Sequence, residues 1–518
     1  MLIPIPLAAK LSTYSVMPRP TARAALILAC FPLVAVFGQT PAAPAADKAF
    51  TLEEAIALAL KKNFDLQVQG YAVSSAKDAV AVQEAVSDPT LTASARRAVS
   101  QSASTTSRLD GTASTGPRSD STTMSVGATL PKIAATNGTV SINTNVSRSA
   151  TNSLNSLVNP AFTNGISANI SQPLMNGAGR HMATVALTRA KLGLNIASIT
   201  YKSRVLTVIS DTENAYYNLV AARETLRIRQ LTLDYNQKLL EENQARRTTG
   251  VATDLDVLSA DYGVANARRG VVQAVQSVRD TEDHLLNIIN LPEFDTKVGS
   301  VSFAEYNEGT PNFATSYKKA REYYPDTLST EEAIKQLQLD LETARRNQMP
   351  DLNLTAALGY TARSTNAGYG DAMSNLPNDH GNNWSLGLNY SMPWGQHAEK
   401  ARYRTAQSNL LSRKAQLEQL EQALLVNVRT SVRAVDSNVT AVEIASKATE
   451  LAARQYEQQK ARYDAGLSTS RLVLLAQDDL ENARFQELSA RLALRRAVAE
   501  LHRHEGSSIE RFKVQLPQ

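Results

Sequence analysis

Thr249-Gly250-Val251-Ala252-Thr253-Asp254, with Asn266-Ala267-Arg268 behind it, returns later in the chain as Ala465-Gly466-Leu467-Ser468-Thr469-Ser470 with Asn482-Ala483-Arg484. The copies lie about 216 residues apart and keep the same internal gap, which marks a duplicated unit. In each copy a long polar helical stretch precedes the glycine and a second one follows it. Glycine takes the left-handed conformation that ends a helix. Thr253, and Ser468 or Thr469, then supply a hydroxyl to cap the next one. Upstream, each long helix follows an alternating strand that closes on proline: Ser171-Gln172-Pro173-Leu174 and Ser391-Met392-Pro393-Trp394. A duplicated strand–helix–turn–helix of this size constrains the fold more than any single residue does.

Helix lengths follow from the spacing of breakers. Phe50–Ser87 reads as a helix with Thr51-Leu52-Glu53-Glu54 as its start and Pro89 as its stop. Gly179 to Arg247 holds no proline and predicts one helix of about 105 Å at 1.5 Å per residue. Thr253–Asn290 predicts its return helix. The second half repeats the plan with helices over Tyr317–Gln348 (Pro325 breaking it near the start), 396–464 and 469–503. Two short helices placed end to end match one long helix, so each half predicts a two-stranded helical rod of about 100 Å.

Between these helices the composition shifts. Residues 90–172 are rich in Ser, Thr, Asn and Gly, with apolar alternation at Met124–Leu130, Val140–Ile142 and Ile166–Ile170. Asn137-Gly138 marks a hairpin. Stretches 101–121, 147–161 and 362–382 read as polar loops. Leu352–Tyr360 and Trp384–Met392 alternate in the same way. Apolar on one face and Ser/Thr/Asn/Gly on the other is the pattern of a membrane β-barrel strand, and equally of an antiparallel sheet with one solvated face. Export, the recurrence of strand pairs in both halves, and Trp384 and Trp394 bracketing one strand favour the membrane. Two strand pairs cannot close a barrel alone. The chain therefore has to oligomerise, and three copies giving four strands each make a twelve-strand barrel. The additional hairpin at 124–145 either raises that count or lies in an external loop. The predicted fold is mainly α, with long helical hairpins and strands that close a membrane β-barrel only in the oligomer.

Composition removes other classes. A formal charge of +5 in 518 residues leaves no nucleic-acid footprint. Charged residues at 20% and aromatics at 6% suit long solvated helices better than a thick globular core. The lone cysteine, Cys30, excludes an internal disulfide. It lies in the apolar run Ala24–Phe37, which follows Arg19 and Arg23 and precedes the small, Pro-rich stretch Gly38–Ala46. That order reads as a secretory signal, with Met17 as an alternative start. Ile27-Leu28-Ala29-Cys30 loosely fits a lipoprotein box, but the apolar run continues past it, which favours simple cleavage. The expected organisation is signal and linker over 1–45, first repeat over 46–300, second repeat over 301–505 and a tail over 506–518. No Walker loop or Cys/His metal spacing occurs, so no enzymatic activity, cofactor or metal is expected. His502-Arg503-His504 reads as a solvated tail, and Asp478-Asp479 and Glu331-Glu332 as helix-surface acids.

The duplicated halves, the Gln-Pro-Leu and Met-Pro-Trp strand ends, and the Gly250 and Gly466 turns resemble TolC-type outer-membrane efflux proteins over about residues 50–505. The resemblance implies a homotrimer whose β-barrel crosses the outer membrane and whose helical barrel crosses the periplasm. Its partners would be a periplasmic adaptor and an inner-membrane pump, serving efflux or type I secretion. It implies an adaptor contact at Gly250, Val251, Gly466 and Leu467. Tyr463 and Asp256 match a tyrosine–aspartate pair that ties the entrance shut. The alternative reading of the residues is a tyrosine packed between helices and a solvated acid. The family's latch arginine falls on Ser468, and its two acidic ring positions fall on Leu472 and Leu475. This implies a hydrophobic constriction, while the same leucines also suit coiled-coil knobs facing a neighbour. An exported coiled-coil scaffold or adhesin without a pore is the competing class; a periplasmic adaptor lacks its expected flanking domains. The cargo stays open among drugs, metals and proteins.

Overall fold

The computed structural model describes residues 50–101, 103, 116–153, 156–291, 298–303, 309–364, 368–377 and 380–512. The expected signal, Cys30 and the linker lie outside the described residues, as do most of the loop at 101–121 and the last residues of the tail. The helices and strands belong to the unit that begins at Ala49.

Helix α1 (Leu52–Lys62) opens on a capping box, in which the Thr51 hydroxyl accepts from the Glu54 amide at 3.2 Å and Glu54 accepts from the Thr51 amide at 3.4 Å. The sequence predicts one helix to Ser87, but the chain breaks at Asn63, whose extended backbone (ψ 129°) ends α1 and caps α2 (Phe64–Ala85). The reason lies far away in sequence. Asn63 Nδ2 donates to the Ile288 carbonyl at 3.0 Å, and Asn290 Nδ2 donates to the Lys62 carbonyl at 3.2 Å. The two asparagines tie the break to the end of the return helix.

Among the described residues, six strands follow the sequence order β1-β2-β3-β4-β5-β6, each antiparallel to the next. They are β1 (Thr90–Gln101), β2 (Arg118–Leu130), β3 (Thr139–Thr151), β4 (Ala161–Pro173), β5 (Asp351–Arg363) and β6 (Gly381–Ser391). Alternation does not predict β1, because Arg96 and Arg97 interrupt it. The sequence also predicts a loop over 147–161, whereas β3 runs on to Thr151 and β4 begins at Ala161. Register converts alternation into two surfaces. Leu91, Ala128, Ile142, Ala168, Leu358 and Trp384 form one apolar row across the sheet. The adjacent row, Thr90, Thr129, Ser141, Asn169, Ala357 and Ser385, lies on the opposite and mainly polar face. Strands of 13 residues reach about 43 Å, or about 33 Å along the normal at a 40° tilt, enough for a bilayer core of about 30 Å.

Helix α3 (Gly179–Thr248) has 70 residues and returns as α4 (Asp254–Ile288). In the second half α5 (Phe313–Tyr323) and α6 (Pro325–Arg346) divide at Pro325, which takes the first helical position where no amide is needed. The short α7 (Tyr369–Ser374) lies in the segment expected to be a loop, and its Tyr369 ring packs edge-on against Phe162 of β4 with centroids 4.4 Å apart. Helix α8 (His397–Asp464) has 68 residues and returns as α9 (Ser470–Glu505).

The main core is a belt at mid-length. Ile56, Leu66, Val205, Ile209, Leu219, Leu285 and Ile289 are buried there, with Phe50, Val301, Ile509 and Phe512 against them. The expected solvated tail is part of this belt. Helix α10 (Ser508–Arg511) follows α9, His504 is buried, and its Nε2 stands 3.0 Å from Glu500. Hydrogen bonds from His504, and then from Arg503, hold the Glu500 carboxyl down to about 2.

Candidate functional site

The duplicated turns lie at the far ends of α3 and α8, the two long helices that follow β4 and β6. Gly250 (φ 77°) and Gly466 (φ 75°) are left-handed, and their neighbours close the helices through Val251 N–Arg246 O (2.9 Å) and Leu467 N–Arg462 O (2.8 Å). Among the described residues nothing would touch a β-carbon at either glycine, so conformation alone requires the residue. Val251 and Leu467 are about three-quarters exposed, each an apolar side chain at the apex of a polar turn.

Behind the turns, one polar network joins all four helices. Tyr463, near the end of α8, is buried, and its hydroxyl donates to Asn243 Oδ1 of α3, which is also buried. Asn243 Nδ2 donates to the Asp256 carbonyl of α4 at 3.2 Å. The Asp256 carboxylate accepts from the Thr253 hydroxyl (2.6 Å), the Thr253 amide (3.0 Å) and the Ser470 hydroxyl at the start of α9 (2.9 Å). The sequence-matched pair is therefore brought into one cluster, but not bonded directly: Asn243 stands between tyrosine and aspartate. Asp256 is fixed by its own capping box, a local geometry that points its carboxylate back at Thr253.

Electrostatics agree with this arrangement. Bonds from the Thr253 hydroxyl and amide, with Ser470 adding to them, hold the Asp256 carboxyl below the ordinary range. Burial pushes the Tyr463 phenol up, so it remains a donor. The sequence reading found no arginine here because Ser468 occupies the expected position. The structure supplies Arg246 from α3. Its guanidinium lies 4.1 Å over the Tyr463 ring, donates to the Tyr463 carbonyl at 3.1 Å and stands 3.7 Å from Asp464. Ser468 instead accepts from Gln459 at 2.5 Å. Asn243 and Arg246 carry no motif; only their place one to two turns before Gly250, level with Tyr463, marks them.

Leu472 and Leu475 are spaced to share a face of α9 and are both exposed. They line a shallow groove with Leu467, Gln459, Ser468 and Asp479. The apex residue and the two leucines thus share one surface.

A family model described as outer membrane efflux protein matches residues 134–291 and 316–507. The chain is 26% identical over 309 residues to the pyoverdine export outer membrane protein OpmQ of Pseudomonas aeruginosa, covering 57% of this chain and 61% of that protein. It is 24% identical over 340 residues to the outer membrane protein TolC of Escherichia coli, covering 62% of this chain and 67% of that protein. The match therefore spans 61% to 67% of the length of these relatives. Among solved structures, the outer-membrane channel OprN superposes with a TM-score of 0.67 at 16% identity, over 88% of this chain and 89% of that one. The open state of the Neisseria gonorrhoeae MtrE outer membrane channel gives 0.63 at 19% identity, over 88% of each chain. These likenesses show the fold.

Proposed function

The chain belongs to the outer membrane efflux protein family, and from that premise we propose that three copies form a channel-tunnel, passing substrates from a periplasmic adaptor and inner-membrane pump to the exterior. The observation that carries this is the sheet. An apolar row crosses every strand, and among the described residues neither β1 nor β6 has a second partner. A lipid-facing sheet with free edges is untenable, since unpaired backbone groups in hydrocarbon cost several kcal/mol each. Other copies have to complete it. Exposed apolar residues on the helices, Leu255, Leu258 and Tyr262 on α4 with Leu411, Val426, Ile444 and Leu451 on α8, offer further contact between copies.

Within this reading the tip is the periplasmic entrance. Gly250, Val251, Gly466 and Leu467 receive the adaptor. Asp256 and Tyr463, joined through Asn243, hold the α8/α9 pair against α3/α4. Leu472 and Leu475 from three copies narrow the passage, and a ring of exposed leucines closes by dewetting. Because Leu467 shares their groove, adaptor binding at the apex acts on the constriction through a direct surface. The test is electron microscopy of full-length protein solubilised from outer membranes. The expected object is a three-fold hollow cylinder about 130–140 Å long, the sum of a helical tunnel and a barrel. Solid or monomeric rods, or recovery in the soluble periplasm, would overturn the proposal in favour of a scaffold.

A further inference from the structure

Four of the six strands run directly into helices: β1 follows α2, β4 leads to α3, β5 follows α6 and β6 leads to α8. Strands β2 and β3 do not. They form a hairpin joined only by residues 131–138, and a barrel of the expected twelve strands would leave them out. Three observations put them in the wall.

The first is register. β2 pairs β1 over twelve consecutive positions, and β3 pairs β4 over eleven, without a bulge on either side. Met124, Val126 and Ala128 of β2, with Ile142 and Val146 of β3, continue the apolar face between Leu91 of β1 and Ile166 of β4. Met124, Val126 and Ile142 are each more than half exposed. An extracellular hairpin has no reason to present that face to water.

The second is the polar face. Asn143 of β3 lies over Gly127 of β2, and Asn145 of β3 over Gly165 of β4, so close that a β-carbon would collide with the amide. Asn383 of β6 lies over Gly359 of β5 in the same way. The hairpin thus shares one surface pattern with strands that both connect to helices. The third is the turn. Asn137 Nδ2 donates to Gly177 O at 2.8 Å, Gln172 Nε2 to Thr136 O at 3.0 Å and Gly179 N to Thr136 O at 3.2 Å. The turn is therefore fastened to the start of α3, at the helical end of the sheet, where an external loop cannot reach.

We propose that, within the trimeric channel inferred above, all six strands of each copy enter the wall, with β6 of one copy pairing β1 of the next, so that the barrel closes with eighteen strands instead of twelve. The occupant of both free edges is a second copy of this chain, and the apolar row from Leu91 to Trp384 reaches both edges, with Arg97 and Asp120 paired on the same face farther along β1 and β2. Neighbouring strands stand about 4.8 Å apart and tilt about 40°, so eighteen give a backbone diameter of about 36 Å against about 24 Å for twelve. Each copy brings four helix-to-strand junctions but six strands. The barrel is consequently wider than the tunnel beneath it, and the 131–138 turns form a ledge at the step.

The test combines electron cryomicroscopy of the full-length trimer with labelling by a membrane-impermeant maleimide. Ser125→Cys and Val126→Cys are placed singly in a Cys30→Ser background, and each is first checked for trimer assembly. Eighteen strands, with Ser125→Cys labelled and Val126→Cys protected by lipid, is the expected result. A twelve-strand trimer, with both positions labelled alike, would overturn this inference and leave the channel standing. Absence of a hollow trimer would overturn the channel reading and this inference together. The strand count of the unmodified protein decides the matter even if a cysteine variant fails to assemble.

Discussion

Tyr463→Phe isolates one hydrogen bond at the tip, the proposed entrance. The ring stays, and with it the Arg246 stack at 4.1 Å and the Arg246 bond to the residue 463 carbonyl. Only the hydroxyl bond to Asn243 Oδ1 goes. Asn243 is fully buried and Tyr463 is 5% exposed, so water does not replace the lost donor. An abandoned buried acceptor costs about 1–3 kcal/mol. If the bond exists only while α8 lies against α3, the opening equilibrium shifts by that amount, about 5- to 150-fold. Single-channel recording in planar bilayers reads this as increased open probability. Asn243→Ala should open the channel too. The double variant should show less than the sum, because both changes remove the Tyr463–Asn243 bond, while Asn243→Ala also loses the bond to the Asp256 carbonyl. Unchanged gating in Tyr463→Phe, or strict additivity in the double variant, refutes the argument that this pair holds the entrance.

Three further outcomes follow from the tip. On the proposed leucine constriction the wild-type pore should resist block by divalent cations, while Leu475→Asp installs a carboxylate ring and should make millimolar-range block appear in bilayer recordings; block of the wild type that Leu475→Ala leaves unchanged would count against a leucine constriction. Gly466→Val puts a β-branched residue at φ 75°, a strain of at least about 1–2 kcal/mol, and should raise amide exchange at Leu467 and weaken adaptor binding without loss of trimer. The Asp256 carboxyl titrates below its ordinary 3.8, so its contribution is complete above that value and disappears as pH falls through the lower, folded value. Amide exchange at Asp256 and Val257 should accordingly stay slow from neutral pH to about pH 4 and, corrected for intrinsic rates, quicken below it, a step that Asp256→Asn abolishes.

What was legible in the sequence had local causes. The left-handed glycines of both tips and the Thr253 cap read correctly because they act within a few residues, whereas the expected second cap does not form: Thr469 precedes α9 without a side-chain cap bond, and Ser468 accepts from Gln459 instead. The long helices read correctly because 1.5 Å per residue and the absence of proline decide them. Asn63 was unreadable because its helix-breaking role depends on a carbonyl 225 residues away. β1 was hidden by Arg97, whose guanidinium pairs with Asp120 of β2 (2.7 Å), a cross-strand partner invisible to alternation. Asp256 and Tyr463 were paired by likeness, and the asparagine between them carried no signature. His504 looked like tail because its burial comes from α9 meeting the α5/α6 junction, where its ring faces Tyr324 at 6.2 Å.

The belt also imposes an order in time. Each tip hairpin joins helices whose ends lie a few residues apart, and such contacts close quickly. The belt unites Phe50, Val298, Val301, Ile509 and Phe512, segments drawn from the beginning, middle and end of the unit. Its asparagine ties span 225 and 228 residues. Loop closure of that length is slow, and it waits for the last helix to be synthesised. The hairpins should therefore zip as independent pieces while the belt remains open. A newly exported chain then passes through a stage of formed rods and unfinished waist, the interval in which chaperones and proteases have their access.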